Sequence, residues 1–479
     1  MKSLKYIWLS ALAVLSVGMV ACNDDDPYFD EDNAKTTPVV NKVYLEDVKS
    51  SVPDREVTYA RLGQMIRLEG SGFIGIKNVY VNGYDTYFNR AYVSDNSMLV
   101  TLNAKTPVAD AEPEVRNTIR LVKDGVESVC EFEIRAASPS VTSVSNTLPP
   151  VGERVVVFGG SLQEISKVTL PGGVEVTEGI VSDDEDGEWF SFVMPSGVTE
   201  GGAIVAVGAN GIAQTPDYFN NRNCMILDFD GAGTQGYWSW KEDGSMINAD
   251  DLADDPEGKY GKCWQVVPDR LLNADGGVSS GKPRVTECWT AGNDDELDDW
   301  TRMTPYIAPE TSLTKIALQF EINVPEEWGT TGQIEIALIN NFNWAGYGSD
   351  DRYGATYFYI PWLGTDAEDN PAVVPFKTEG WQTVTIPLSE LNKYKTVFND
   401  NEASVKPVFQ DVINDRNDAS YRNFGMGFVN TDFEVEKGKD TFKFKSTAFT
   451  GPKIYVDNWR IVPYEFVTIS DYPEDEETK

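Results

Sequence analysis

Short runs in which apolar and polar residues alternate, each closed off by glycine or proline within about ten residues, recur from Val39 almost to the C-terminus. A period of two puts one face of each run in a core and the other in water, which is the signature of half-buried β-strands. Ile66 and Leu68 alternate with Arg67 and Glu69, Ile119 and Leu121 flank Arg120, and Ile334, Ile336 and Leu338 alternate with Glu335 and Ala337. No stretch carries the periodicity of a long amphipathic helix. The expected fold class is therefore all-β, and 479 residues are enough for two to four domains.

One segment occurs twice. Leu62-Gly63-Gln64-Met65-Ile66-Arg67-Leu68-Glu69-Gly70-Ser71 is echoed by Val151-Gly152-Glu153-Arg154-Val155-Val156-Val157-Phe158-Gly159-Gly160-Ser161, and each copy leads into another strand, Asn78–Val81 and Lys167–Leu170. Lys123-Asp124-Gly125 predicts a hairpin turn closing the first copy. Units of about a hundred residues fit immunoglobulin-like sandwiches. Gly70-Ser71-Gly72-Phe73, and more loosely Gly159-Gly160-Ser161-Leu162, resemble the Gly-x-Gly-Phe corner of the IPT/TIG family, whose members serve as spacers or interaction modules.

The first residues are a processing signal. Lys2 and Lys5 precede an apolar run, Ile7 to Val20, that is short for a membrane span and ends in Met19-Val20-Ala21-Cys22. A small residue directly before cysteine is what lipoprotein signal peptidase cuts, so Cys22 is expected to become an acylated N-terminus, although Met19 stands where leucine is usual. The following Asn23-Asp24-Asp25-Asp26, with Asp30, Glu31 and Asp32 beyond, resembles the acidic tag that sends Bacteroidota lipoproteins to the outer face of the outer membrane. Several acyl chains on one cysteine supply anchoring that a single chain does not.

Charge and composition then narrow the partners. Lys+Arg number 40 against 76 Asp+Glu, a net charge of −36, and loss of the signal lysines makes it more negative still. Such a field repels phosphate backbones and acidic polysaccharides, so no nucleic-acid partner is expected and a neutral ligand is. The chain has no histidine, which removes Ser-His-Asp and Cys-His chemistry and every His-ligated metal site. Cys130 shares an apolar strand face with Phe132 and Ile134 and reads as a buried free thiol; whether Cys263 and Cys288 pair stays open.

All but two of the 12 tryptophans lie beyond Cys224. Gly380-Trp381-Gln382-Thr383-Val384-Thr385-Ile386-Pro387-Leu388 and the closing strand Ile454 to Ile461 look like parts of a jelly-roll carbohydrate-binding module. The order of parts predicts a signal peptide (1–21), an acidic tether (22–37), two IPT/TIG-like sandwiches (38–136 and 137–222), a larger jelly-roll-like β-sandwich (223–466) and an acidic tail (467–479). This arrangement resembles the surface glycan-binding proteins of Bacteroidota polysaccharide-utilisation systems, in particular the group whose C-terminal domain includes xyloglucan binders. The resemblance implies a non-catalytic receptor that passes chains to an outer-membrane importer.

Neutral sugars are held by flat aromatic rings beneath the pyranose faces and planar hydrogen-bonding groups at the rim. Asn340, Asn343, Trp344 and Tyr347 in one glycine-containing loop, Trp289 and Trp300 bracketing the acidic loop Asn293 to Asp299, and Tyr359 and Trp362 around one strand end are the candidate contacts. Trp381 and Trp459 read as core, while Trp238, Trp240, Trp264 and Trp328 are unassigned. Asp228, Asp230 and Asp457 offer oxygens for a structural Ca²⁺; no other cofactor is expected. Ser182-Asp183-Asp184-Glu185-Asp186-Gly187 lacks the acidic last position of a calcium loop, having Val193 there, and reads as a solvated turn. Two other functions fit the composition: a glycoside hydrolase using paired carboxylates, which needs two acids at a set separation, and a surface adhesin binding protein through its immunoglobulin-like units. Replacing Cys22 with alanine is expected to release the protein from membranes, and neutralising Asp24 to Asp26 to leave it anchored but facing inward. Protease shaving of whole cells reads both; undiminished cleavage of the neutralised variant refutes the export tag.

Overall fold

The computed structural model describes residues 35–46, 54–231, 233, 252–266, 284–329, 331–340, 354–449, 451–467 and 469. Cys22 and the acidic tag lie outside them. The alternating runs form strands, and the described residues fall into two compact units: those up to Pro139 together with Ala209–Gly211, and Ser140–Gly208 together with Ile212–Ile469. No described helix is long and apolar enough to cross a membrane.

In the first unit, four-stranded antiparallel sheets face each other. One runs Arg55–Glu56, Val39–Leu45, Met65–Ser71, Ser97–Thr101 in spatial order, the other Tyr84–Thr86, Asn78–Val81, Thr118–Val122, Glu127–Glu131. Ile66, Leu68, Met98 and Val100 of one meet Val79, Val81, Ile119 and Leu121 of the other in a closed core, as the alternation requires.

Residues 140–214 repeat this plan with sheets built around Arg154–Gly160 and Lys167–Leu170. The repeat extends to its irregularities. A Cβ at Gly70 would lie 1.8 Å from the Val39 carbonyl oxygen, and one at Gly159 would lie 1.9 Å from that of Ser140, so both copies need glycine where the preceding strand bulges. Two residues on, Gly72 has φ +73° and Ser161 has φ +58°, so the looser copy holds a serine in the left-handed conformation that glycine occupies in the first.

The C-terminal region is a larger sandwich. Its first sheet orders Ala253–Asp254, Lys262–Val266, Ile454–Pro463, Ile316–Asn323 and Gln382–Pro387, with Met225–Leu227 also paired to the closing strand. Its second sheet orders Arg284–Trp289, Gly425–Val429, Gln333–Ala337 and Thr356–Tyr359. Two short helices, Asn392–Asn399 and Phe409–Asp418, pack at one end through Tyr394, Phe409, Val412 and Ile413. Strand periodicity gave no sign of them. Cys263 and Cys288 are not joined in a disulfide. Cys263 packs with Trp381 and Tyr455, whereas Cys288 lies in the main core, so the two thiols serve different faces.

Every residue of Ile316–Asn323 is buried. Ile316, Leu318, Phe320 and Ile322 pack against the second sheet. On the other face Ala317, with Val462 of the closing strand, joins the core of the repeated sandwich, and Tyr218 stacks on Tyr464 at 6.4 Å. The polar centre of that junction is a buried ion pair. Arg460 donates to both oxygens of Glu321 at 2.7 and 2.8 Å and to the Thr147 hydroxyl at 2.7 Å. The Thr147 amide donates to Thr383 Oγ1 at 2.7 Å, and the Thr383 amide returns a bond to the Ser145 carbonyl at 2.9 Å. The second sandwich is thus built onto the back of the C-terminal one.

Arg460→Met is expected to cost about 3–5 kcal/mol by leaving the Glu321 carboxylate buried without its partner. Trp459→Ala is expected to cost a similar ~3–5 kcal/mol through the cavity left where its ring stacks on Phe320, at 4.3 Å. Urea unfolding measures both; a change under 1 kcal/mol at Arg460 would show that the junction contributes nothing.

Candidate functional site

A β-sandwich has four sheet faces, and in the C-terminal region three are occupied. Two inner faces form the core, and the first sheet's outer face is taken by the repeated sandwich. The fourth, the outer face of the second sheet, is buried as well, with Gln333, Glu335, Trp289, Phe358 and Val429 all withdrawn from solvent. Cross-strand register places Trp289 opposite Gly425, Glu335 opposite Gly427 and Phe358, and Gln333 opposite Val429. Ile334, Ile336, Met426, Phe428 and Cys288 point the other way, into the core.

Glycine makes a trough along the central strand. A Cβ on Gly425 would come within 2.2 Å of Trp289 Cε3, so the indole lies directly against bare backbone. The Trp289 indole N–H donates to Glu287 Oε1 at 2.7 Å. Glu287, Gln333 and Glu335 thus add planar oxygen and amide groups beside two aromatic side chains, Trp289 and Phe358. That is the mixture a neutral pyranose needs, and two carboxylates on one face disfavour an anionic ligand. The face is withdrawn from solvent in this structure, with Glu335 at 0 % exposure.

Several expected contacts are corrected. Trp300 is 1 % exposed and lies under the Arg416 guanidinium at 3.9 Å. Acid beside it did not bring it to the surface, because the acids act within the loop. Asp295 accepts from the Leu297 amide and Asp299 from the Thr301 amide, at 2.8 and 3.0 Å. Asp298 accepts from the Thr290 hydroxyl at 2.9 Å and from Arg416 at 3.2 Å. Burial raises the Asp298 carboxyl above its ordinary value against the opposing pull of Arg416, and burial lowers Arg416 to about 10. Arg416 also donates to the Leu338 carbonyl, which fixes the chain as it leaves Gln333–Ala337.

Trp362 is likewise 1 % exposed. Its N–H donates to the Gly332 carbonyl at 2.8 Å, and Phe433 and Phe444 of one hairpin close over it at 5.9 and 6.0 Å. Tyr359 faces inward, edge-on to Phe320 at 5.6 Å and Phe376 at 6.4 Å, and burial raises its phenol well above the ordinary value. Phe358, and not the expected contact Tyr359, is therefore the ring that this strand turns to the outer face. Trp289 is buried too, though on the proposed face. Asn340 is exposed just beyond the strand. Asn343, Trp344 and Tyr347 lie outside the described residues. Gln333 and Glu335 went unnamed as contacts although their alternation with Ile334 and Ile336 was visible; nothing in one sequence marked Gly425 as a floor for Trp289.

Each of the candidate calcium ligands accepts from a backbone amide. Asp228 accepts from the amides of Asp230 and Gly231, Asp230 from that of Lys262, and Asp457 from that of Asn458. Among the described residues no group of three or more acidic, cysteine or histidine side chains is arranged to hold a metal. Burial, then the neighbouring Asn458 amide acting in the opposite sense, govern Asp457, whose carboxyl sits well above its usual range.

Residues 218–463 match the surface glycan-binding protein B xyloglucan binding domain. An IPT/TIG domain-containing protein of Bacteroides ovatus is 23% identical over 435 aligned residues, covering 70% of this chain and 83% of the relative. The crystal structure of a surface glycan-binding protein B from Prevotella bryantii superposes with a TM-score of 0.59 at 20% identity, covering 90% of this chain and 99% of that one.

Trp362→Ala is expected to cost about 3–5 kcal/mol of stability, whereas Asn340→Ala should change stability by less than about 0.5 kcal/mol and weaken glycan binding. Urea melts paired with calorimetric titration separate the two. An Asn340 variant that binds unchanged takes this end of the strand out of the site.

Proposed function

This chain belongs to the surface glycan-binding protein B family that the xyloglucan binding domain defines, and we propose that it is a lipid-anchored receptor for a neutral polysaccharide on the outer face of the outer membrane. The observation that carries the reading is that residues 218–463, which match the glycan-binding domain, span the C-terminal sandwich, whose second sheet sets Trp289 and Phe358 on one face with Glu287, Gln333 and Glu335. Trp289 and Phe358 supply ring faces and Asn340 an amide, while Glu287, Gln333 and Glu335 supply hydrogen bonds to hydroxyls. The protein binds without cleaving and delivers chains to uptake machinery in the same membrane through its acylated Cys22. The named binding domains of relatives make xyloglucan the first ligand to test, with other neutral β-glucans beside it.

Affinity electrophoresis against xyloglucan, mixed-linkage glucan, other neutral polysaccharides and one polyanion tests this. Retardation is expected on at least one neutral gel and none on the polyanion, with affinity nearly constant from low to moderate salt because no ionic contact is being screened. Gly425→Ala is expected to weaken that binding about tenfold by pushing the Trp289 ring off its seat. Release of reducing sugar, or steep salt dependence, would overturn the reading.

A further inference from the structure

The first immunoglobulin-like sandwich carries a cavity of about 590 Å³ lined by Lys77, Asn78, Asp85, Thr86, Tyr87, Phe88, Asn89 and Arg90. This volume is within the range of small-ligand sites. The Tyr87 side chain at its edge is 81% exposed. Single exposed aromatics are ordinary on protein surfaces. This one differs in its surroundings. Phe88 is half-buried beside it, packed against the sandwich core, and the amides of Asn78 and Asn89 and the carboxylate of Asp85 lie along the same cavity.

The loop is also fixed before any ligand arrives. Asn89 Oδ1 accepts from the Ala91 amide at 3.0 Å and caps the short turn Arg90–Tyr92. The Asn89 carbonyl accepts from the Tyr92 amide at 3.0 Å, and Asn78 Nδ2 approaches Asp85 Oδ1 at 3.5 Å. A ring presented on a pre-ordered turn loses little freedom on binding.

Charge selects the ligand class. Lys77 is paired with Asp124 at 2.5 Å, so the cations of the lining, Lys77 and Arg90, are matched by Asp85 and Asp124. No single-sign field is left to recruit an ion, while ring face and amides suit the C–H faces and hydroxyls of a sugar.

We propose that this cavity is an accessory subsite for one or two neutral sugar residues, stacked on Tyr87 and held at their hydroxyls by Asn78, Asp85 and Asn89. It rests on the reading of the chain as a polysaccharide receptor. A polymer chain far exceeds the length of one subsite, so a weak second contact raises retention on a long glycan through effective concentration without strengthening the main site.

The test uses the full mature chain on gels containing the neutral polysaccharide that the wild type binds, with polysaccharide-free gels as reference. Tyr87→Ala is expected to weaken retention on the polymer about five- to tenfold with an unchanged melting temperature, while Tyr87→Phe, which keeps the ring, retains most of it. Unchanged retention of Tyr87→Ala overturns the subsite and leaves the main receptor reading standing. A wild type retarded by no neutral polysaccharide overturns both.

Discussion

The arrangement of the C-terminal half hangs on the pair between Arg460 and Glu321, both fully buried. A buried ion pair adds little net stability over an apolar substitute, because desolvation offsets the attraction, but losing one partner is expensive. Its effect here is positional. The planar guanidinium has donors in more than one direction, and it spends two on Glu321 and another on Thr147 of the neighbouring sandwich. Trp459, the residue before, points into the opposite core and stacks on Phe320. A one-residue slip of the closing strand would put the guanidinium in that apolar core and the indole among carboxylates. The irregularity at Asp457 and Asn458, where Asn458 has φ +56°, brings both side chains to their proper faces.

That fixed register also closes off the first sheet. With Thr147, Ser145 and Tyr218 seated on it, the first sheet has no free face. Neighbouring bonds reinforce the contact: Tyr260 donates to the Leu148 carbonyl at 2.8 Å, and Asn146 donates to the Tyr260 hydroxyl at 2.8 Å. Asp255 organises the adjoining loop. Burial alone would raise its pKa, yet donors from the Glu257, Lys259 and Tyr260 amides and the Trp381 indole hold it below the ordinary carboxylate value. Most polar groups of the junction are paired, the Arg460 Nε and the Tyr218 hydroxyl being buried exceptions among the described residues.

Much of the fold was legible because alternation reports burial directly. The two copies of the repeat could be aligned on Gly70 and Gly159, and the structure supplies the steric reason for both. Position within a sandwich was less legible. Period two says that Tyr357 and Tyr359 share a face opposite Phe358, but not which face meets the core; that depends on Phe320 and Phe376, supplied by other strands. The acidic loop misled similarly. Charges near Trp300 imply exposure only if they are solvated, and Asp295, Asp298 and Asp299 are used as turn caps and an ion-pair partner. The helices Asn392–Asn399 and Phe409–Asp418 are two or three turns long, too short for periodicity to stand out from loop composition.

The tryptophans show why counting aromatics overstates a binding surface. A surplus of indoles suggests glycan platforms only when the core is small, and a sandwich whose sheets are both covered has more interior to fill. A buried indole usually finds an acceptor for its N–H, and several of those in this region do, although Trp300 and Trp459 have none among the described residues. Trp264 donates to the Thr286 carbonyl, Trp328 to that of Thr331 and Trp362 to that of Gly332, at 2.9, 2.8 and 2.8 Å. The last two carbonyls immediately precede Gln333–Ala337, the strand that carries Gln333 and Glu335 on the outer face. Trp328 and Trp362 thus set the entry of the strand that carries Gln333 and Glu335. An indole that holds a strand end and one that presents its face to solvent look alike in a sequence read for exposed rings.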